Sequence, residues 1–98
     1  MSLAIAFRAA ARDEFAEAAT WYEAQRAGLG ARFSDEIARC VASAAQQPEL
    51  YGVVSGEIRR VVARRFPYSL YFRREAEQIV VLAVFHSSRD PRVWQRRR

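Results

Sequence analysis

The chain has 98 residues, of which 51% are hydrophobic, and it carries a formal net charge of +5. This length allows one hydrophobic core, so we predict a single domain over residues 1–98, and the apolar fraction excludes a chain that is disordered for lack of hydrophobic side chains. All 16 strongly basic residues are arginines. The planar guanidinium fits carboxylates and phosphates, which indicates an acidic partner.

The charge is distributed unevenly along the chain. Residues 1–50 hold five arginines against seven acids, a net of −2, whereas residues 51–98 hold eleven arginines against four acids, a net of +7. We therefore expect a negatively charged partner to meet the second half, which ends in a basic tail at residues 87–98. The N-terminus lacks the pattern of a signal peptide and no apolar run nears transmembrane length, so we expect a cytoplasmic protein without membrane contact.

The first half of the chain predicts one strand followed by two helices. Residues 3–7, LAIAF, form a short apolar run typical of a strand. Apolar residues then recur at helical spacing over residues 9–26, and again over residues 31–46 after the glycines at 28 and 30. The predicted buried stripes are Phe15, Ala18, Ala19 and Tyr22 on the first helix and Phe33, Ile37, Cys40, Val41 and Ala44 on the second.

The second half predicts a loop over residues 46–57 and then three strands. The strands are expected near residues 57–65, 67–74 and 78–86, and the last is apolar on both faces, which indicates the central strand of the sheet. The predicted fold class is α+β in the order β-α-α-β-β-β. A helical hairpin is expected to pack on one face of a mainly antiparallel sheet, with the opening strand at or near an edge.

The residue types argue against several kinds of site. One histidine and one cysteine make a metal site improbable, and no glycine-rich phosphate loop is present, so we predict no cofactor. Cys40 lies in an apolar helical stripe and is interpreted as a core residue in a reducing compartment. Ser87, Ser88, His86 and Asp90 lie too close on one segment to face each other as a catalytic triad.

An RNA-cleaving site is harder to dismiss, because it needs only a proton-transferring group and a basic cradle for phosphate. His86 could move the proton. The arginines that could hold the phosphate are Arg59, Arg60, Arg64, Arg65 and Arg89. The competing interpretation is that His86 caps the end of a strand and that the arginines form a solvated or partner-binding surface.

The aromatic residues of the second half can likewise be interpreted either as packing residues or as contact residues. Trp94 either folds back over the sheet or stacks on a nucleic-acid base, and the first is the more common use of such an indole. Tyr68 and Tyr71 alternate along one strand, so one is expected to pack inward while the other is exposed.

Three segments of the chain resemble the RelE/ParE superfamily of toxins from bacterial type II toxin-antitoxin systems, in the branch called plasmid stabilisation proteins. They are FAEAATWYEAQRAGLGARF (residues 15–33), IRRVVARRFPYSLYF (58–72) and VLAVFHSSRDPRVWQRR (81–97). The most specific parts are RFPYSLYF at 65–72 and the pattern of His86, Arg89, Asp90, Pro91, Trp94 and Arg97. The resemblance implies a helical hairpin on a small antiparallel sheet.

The resemblance also implies one of two activities. ParE-like toxins bind and poison DNA gyrase, whereas RelE-like toxins are ribosome-dependent endonucleases that cut mRNA, so enzymatic activity depends on the branch. In the nuclease branch an arginine precedes the tyrosine of the third strand. Tyr68 holds that place here, Trp94 holds the place of the tail aromatic, and Arg59, Arg60 and Arg64 stand where lysines are usual. These departures favour gyrase poisoning over mRNA cleavage; a chromosomal relative that has lost toxicity is the third alternative.

The same resemblance implies a protein partner. In this superfamily a small, usually acidic ParD- or RelB-like antitoxin wraps a C-terminal segment around the toxin in a hetero-oligomer. The residues expected to bind target or antitoxin are Arg59, Arg60, Arg64, Arg65, Tyr68, Arg89 and Trp94. His86 and Arg89 would be catalytic only in a nuclease.

Overall fold

The computed structural model describes residues 2–98, and it confirms the predicted fold class. A helical hairpin packs on one face of a five-stranded sheet. The elements in chain order are β1 Ala4–Phe7, α1 Ala9–Gln25, α2 Leu29–Gln46, a 3-10 turn at Pro48–Leu50, β2 Val53–Ser55, β3 Ile58–Val62, β4 Tyr68–Glu75, β5 Gln78–His86 and α3 Arg92–Gln95.

The sheet has the strand order β1-β5-β4-β3-β2 and is antiparallel except for the β1–β5 pair. The opening strand lies at an edge, as predicted. The segment expected to be a loop contains β2, which pairs with β3 through Val53 and Ser55 across a bulge. The sequence pattern missed this strand because it is only three residues long and half-exposed, so it lacks a buried face.

β5 is buried along most of its length because neighbouring strands flank it on both sides and both faces are covered. The middle of the five strands is nevertheless β4, not β5 as predicted, because β2 adds a strand at the far edge. A register shift occurs opposite the step from Tyr71 to Phe72. Leu82 and Ala83 of β5 consequently both belong to the cluster on the face away from the helical hairpin.

The main core lies between the helical hairpin and the sheet. The predicted stripe of α2 is buried throughout, and on α1 Ala18 is buried while Phe15, Ala19 and Tyr22 pack partly buried against the same cluster. The sheet contributes Val61, Leu70, Phe72, Ile79, Val81 and Val84 to this core.

The turn between the helices depends on Glu23 and two glycines. Gly28 has a φ of 88°, which a residue with a side chain rarely adopts. The Glu23 carboxylate accepts hydrogen bonds from the backbone N–H groups of Gly28 and Gly30 at 2.9 and 3.0 Å. α2 therefore begins with its N–H groups paired to a side chain of α1, where the helix dipole favours a negative charge.

The face of the sheet away from the hairpin has its own small core. Ile58, Tyr71, Val80, Leu82, Ala83, Phe85 and Trp94 form it. Trp94, on α3, stacks on Tyr71 with ring centroids 3.9 Å apart, so the tail folds back over the sheet as predicted. Tyr68 is half-buried on the hairpin face and Tyr71 is buried on the other. The prediction that one tyrosine is exposed is therefore wrong, because the tail covers the second face.

Within residues 2–98 no helix combines the length and the apolar character that crossing a membrane requires. The same residues contain no group of three or more histidine, cysteine and carboxylate side chains placed to hold a metal ion.

Candidate functional site

The predicted site residues lie in three places. His86, Arg89 and Trp94 belong to the end of β5 and the tail that follows it. Arg59 and Arg60 lie on β3, and Arg64 and Arg65 lie on the connection between β3 and β4, residues 63–67, which we call the arginine loop. Tyr68 begins β4 beside the end of β5, so the structure brings it next to His86 but does not gather all of these residues into one cavity.

His86 is held by its neighbours on one nitrogen and one ring face. Its Nδ1 accepts a hydrogen bond from the Ser88 backbone N–H at 3.0 Å and lies 2.8 Å from the Ser88 hydroxyl. The ring packs edge-on against Tyr68 with centroids 5.1 Å apart. Since the lone pair of Nδ1 is engaged, the proton of the neutral ring lies on Nε2, and His86 in this arrangement has no free nitrogen lone pair to act as a base.

Arg89 lies in a network centred on Glu14 of α1. Glu14 accepts hydrogen bonds from Arg89 at 2.8 Å and from Arg97 at 2.8 and 2.9 Å. Both guanidinium groups also lie over the Phe85 ring, at 4.2 and 5.9 Å from its centroid. Arg89 therefore has a carboxylate partner inside the protein, and its predicted role in binding remains a prediction.

Glu14 and Arg97 also satisfy backbone groups at the edge of β5. β1 ends at Phe7, so the part of β5 beyond Val81 has no strand neighbour on that side. Glu14 accepts from the Val84 N–H at 3.1 Å, and Arg97 donates to the Leu82 carbonyl at 3.0 Å. The two side chains thus provide the hydrogen bonds that a neighbouring strand would otherwise make to the backbone of β5, and these backbone groups are not left unpaired.

Trp94 is only 4% exposed, and its Nε1 is a buried polar atom with no hydrogen-bond partner among residues 2–98. The indole is therefore enclosed rather than presented for stacking on a base. This burial favours a structural role for Trp94, while its prediction as a contact residue remains untested.

Arg59 and Arg60 have different surroundings, because they point to opposite sides of β3. Arg59 is half-buried and donates to the Tyr51 carbonyl at 2.6 Å. Arg60 is exposed and lines a shallow depression with Val54 and Val62 at the β2–β3 edge.

A larger groove lies between α2 and the arginine loop, with a volume of about 800 Å³. We call it the α2 groove, and its lining residues are Leu29, Arg32, Asp35, Glu36, Arg39, Arg64, Arg65 and Phe66. It joins the depression at the β2–β3 edge, since Arg39 and Arg64 line both. This is the part of the described surface where the predicted arginines meet a concave surface.

Glu36 occupies the floor of the α2 groove and organises its polar groups. It accepts two hydrogen bonds from the Arg39 guanidinium, at 2.8 and 2.6 Å, and one from the Arg64 backbone N–H at 2.6 Å. The Arg39 bonds are the main cause that lowers the pKa of Glu36 to about 2. Arg39 lies one helical turn after Glu36 on α2, so the carboxylate joins its own helix to the arginine loop.

Cys40 lies beneath this pair and is fully buried. Burial is the main cause that raises the pKa of its thiol to about 11, so at neutral pH it carries no thiolate. This agrees with its interpretation as a core residue.

Two residues that bind the side chains and backbone groups at the end of β5 and in the α2 groove were not among the predicted site residues. Glu14 and Glu36 lie outside the predicted buried stripes of their helices, yet their side chains are only 11% and 13% exposed. The partners of Glu14 lie 70 to 83 positions away, and Glu36 binds the Arg64 N–H 28 positions away in addition to Arg39 on its own helix. No local sequence pattern reveals such pairs.

The order of elements and the arginine-lined α2 groove define a small α+β domain of the type that the RelE/ParE resemblance implies. The family model of the ParE toxin of the type II toxin-antitoxin system, parDE, matches residues 5–91. The chain therefore belongs to the ParE toxin family, which confirms the resemblance.

Solved structures show the same fold. A chain of the structure described as the chromosomal ParDE TA system from P. aeruginosa superposes with a TM-score of 0.74 at 16% identity, covering 87% of this chain and 96% of that chain. At this identity the likeness concerns the fold alone. Comparison with curated proteins found no significant match.

Proposed function

We propose that this chain is a toxin that arrests bacterial growth by binding and poisoning DNA gyrase in the cytoplasm, and that a cognate antitoxin neutralises it. Membership of the ParE family supports gyrase as the target, since the resemblance implies that activity for ParE-like members. The observation that favours gyrase poisoning over mRNA cleavage is the hydrogen bonding of His86 and of Arg89. Ser88 engages its Nδ1, and its predicted partner Arg89 is bound to Glu14.

A nuclease would need a group free to take a proton next to a cationic cradle for phosphate. In the described residues the arginines nearest in sequence to His86 are paired with carboxylates: Arg89 with Glu14 and Arg92 with Asp90. The exposed arginines of the arginine loop belong to the α2 groove instead. This separation of histidine and free arginines supports a protein that acts by binding.

The proposed antitoxin is a small acidic protein whose C-terminal segment folds on the toxin, forming a hetero-oligomer that also represses the shared operon. Charge complementarity supports this partner, because the second half of the chain carries a net charge of +7. Arg59, Arg60, Arg64 and Arg65 remain the proposed contacts for it or for the target.

The test is to induce the chain alone in a bacterial host and to identify the process that fails first. Gyrase poisoning predicts linearised DNA and an SOS response, both suppressed by a resistant gyrase allele. Rapid loss of translation, with mRNA cut at ribosome-positioned codons, would establish the nuclease alternative instead. Absence of growth arrest would contradict both and support a relative that has lost toxicity.

His86→Asn sharpens the test, because the Asn side-chain oxygen can still accept the Ser88 N–H bond but cannot transfer a proton. The gyrase proposal expects this variant to stay toxic. A nuclease that uses His86 as acid or base would lose about a hundredfold or more in rate. Ser88→Ala is the matched control, since it removes one contact of the ring and keeps the imidazole.

A further inference from the structure

The arginine loop is fixed in place by contacts from four directions. Glu36 binds its Arg64 N–H, and the Phe66 ring packs against Tyr22 and Phe33 with centroids 5.0 and 5.3 Å apart. The Ala63 N–H donates to the Tyr68 carbonyl at 3.0 Å, and the Ser87 N–H donates to the Pro67 carbonyl at 2.8 Å. A short connection with this many attachments presents its exposed side chains in a fixed geometry.

Arg65 lies at the most unusual backbone position of this loop. Its φ is 67°, in the left-handed region that glycine or asparagine adopts at the lowest cost. An arginine there costs about 1 kcal/mol or more, and such costs persist mainly where a side chain serves a function. Arg65 is exposed, so packing does not explain its presence.

The charges of the α2 groove are unbalanced. Glu36 is engaged by Arg39, whereas the guanidinium groups of Arg32, Arg64 and Arg65 make no ion pair with any carboxylate of residues 2–98. Leu29 and the edge of Phe66 add apolar surface between them. The groove thus offers three unpaired guanidinium groups beside an apolar strip.

From these contacts we infer that the arginine loop is a recognition element for an acidic, partly apolar peptide segment, with Arg65 as its specificity-determining residue and Glu36 as the positioning residue that holds the loop. A carboxylate of the segment pairs with the Arg65 guanidinium, and an apolar side chain next to it packs on Leu29 and Phe66. This inference rests on the proposed antitoxin partner and assigns it a docking site.

A peptide fits this groove better than a nucleic acid does. Asp35 and Glu36 also line it, and their charges would repel a backbone that carries a phosphate at every residue. An acidic peptide can place neutral or apolar residues at those points and carboxylates at the arginines. The mixed lining therefore favours peptide over DNA or RNA.

The experiment measures binding of the purified full chain to a short fluorescein-labelled peptide that alternates glutamate with leucine. The wild-type chain should bind it, and should bind the glutamine counterpart of the peptide much more weakly. Arg65→Gly and Arg65→Asn should each weaken binding about tenfold, as loss of a charge-assisted pair does. Neither should lower Tm, because both residues accept the left-handed backbone.

The matched control is Arg12→Ala, which removes one exposed arginine from α1, outside the groove. It should change the affinity less than twofold, an effect of net charge alone at about 0.15 M ionic strength. Glu36→Gln should weaken binding and lower Tm together, whereas a purely structural Glu36 would lower Tm and leave the affinity of the folded protein unchanged.

Several results would overturn the inference. These are failure of the acidic peptide to bind, equal binding of the glutamine peptide, equal losses in the Arg65 and Arg12 variants, or displacement of the peptide by a single-stranded oligonucleotide at lower concentration. Growth arrest by the wild-type chain tests the proposed function separately, so a toxin that does not bind the peptide would contradict only the docking site.

Discussion

Glu14 connects three parts of the molecule that lie far apart in sequence. It joins α1 to Arg89 and Arg97 of the tail and to the Val84 N–H on the open edge of β5. Its side chain is 11% exposed and that of Arg97 is 18% exposed, so solvent screens their attraction only partly. Glu14 therefore attaches the tail to the first helix.

Glu14→Gln should lower the free energy of unfolding by about 2–3 kcal/mol, because it leaves Arg97 without a counter-charge in a mostly buried position. Urea denaturation followed by tryptophan fluorescence measures the change. Glu17→Gln is the control, since Glu17 lies exposed on the same helix and makes no ion pair among the described residues. Equal effects of the two substitutions would contradict this role of Glu14.

Glu36 should make stability depend on pH in the acid range. The pKa of its carboxyl is about 2 in the folded protein and near its ordinary 4.5 in the unfolded chain, so the unfolded state binds the proton more readily. The stabilisation is then fully present above pH 4.5 and is lost as the pH falls toward 2. The free-energy difference between the wild type and Glu36→Gln should shrink over that interval.

This difference is measured by denaturant unfolding at several pH values. At neutral pH we expect about 1–3 kcal/mol in favour of the wild type, since Glu36 accepts three charge-assisted or backbone hydrogen bonds. Asp35→Asn, which changes an exposed neighbouring carboxylate, should cost far less. A Glu36→Gln difference that stays constant down to pH 2 would refute the assignment.

At the scale of elements, the hairpin depends on the close approach of its two helices at Gly30. A Cβ at this position would lie 2.6 Å from the Ala19 carbonyl oxygen and 2.9 Å from Glu23, so α1 and α2 would have to move apart. The clash involves backbone, which cannot rotate away. The glycine is therefore required by packing, even though it lies inside a helix where alanine is intrinsically favoured.

Gly30→Ala should destabilise the protein by about 2–3 kcal/mol, as overpacking in a tight interface does. Thermal unfolding by circular dichroism measures it. Gly52→Ala is the matched control, since a Cβ there would meet nothing within 4 Å. Gly52→Ala should leave the free energy of unfolding almost unchanged. A similar loss of stability in both variants would show that the contact between the helices is not the cause.

The elements themselves were predictable to different degrees. α1 and α2 were expected from apolar periodicity, and both ends lie within two residues of the predicted ones. The sequence does not predict β2, because its side chains are half-exposed and its only strand neighbour in the sheet of the described residues is β3. A strand without a buried face leaves no period-2 pattern in the sequence.

At the scale of the whole molecule, the tail closes the second face of the sheet. Trp94 covers Tyr71, while Arg89 and Arg97 lie over Phe85, so a surface of apolar strand residues becomes a second core. Trp94→Ala should lower the free energy of unfolding by about 3–5 kcal/mol. Exposed Val93→Ala is the control and should cost under about 1 kcal/mol. If urea denaturation gave similar losses of unfolding free energy for Trp94→Ala and Val93→Ala, the tail would be packed only loosely on the sheet.

The helical hairpin, the three long strands of the second half, the buried stripe of α2 and the core position of Cys40 follow from the sequence, because they depend on local periodicity and on the separation of apolar from polar side chains. The resemblance to the toxin family likewise rests on motifs that can be read along the chain. The family match supports that reading across residues 5–91.

The arrangement of the charged side chains was decided only by the tertiary structure. The sequence contains sixteen arginines and does not show which are engaged, because Glu14, Glu49 and Glu75 bind arginine side chains from other segments of the chain. Folding pairs Arg89 and Arg97 with Glu14, whereas Arg32, Arg64 and Arg65 around the α2 groove have no ion-pair partner among residues 2–98. Ion pairing depends on distances in space, and residues separated by 70 or more positions meet only when the chain has folded.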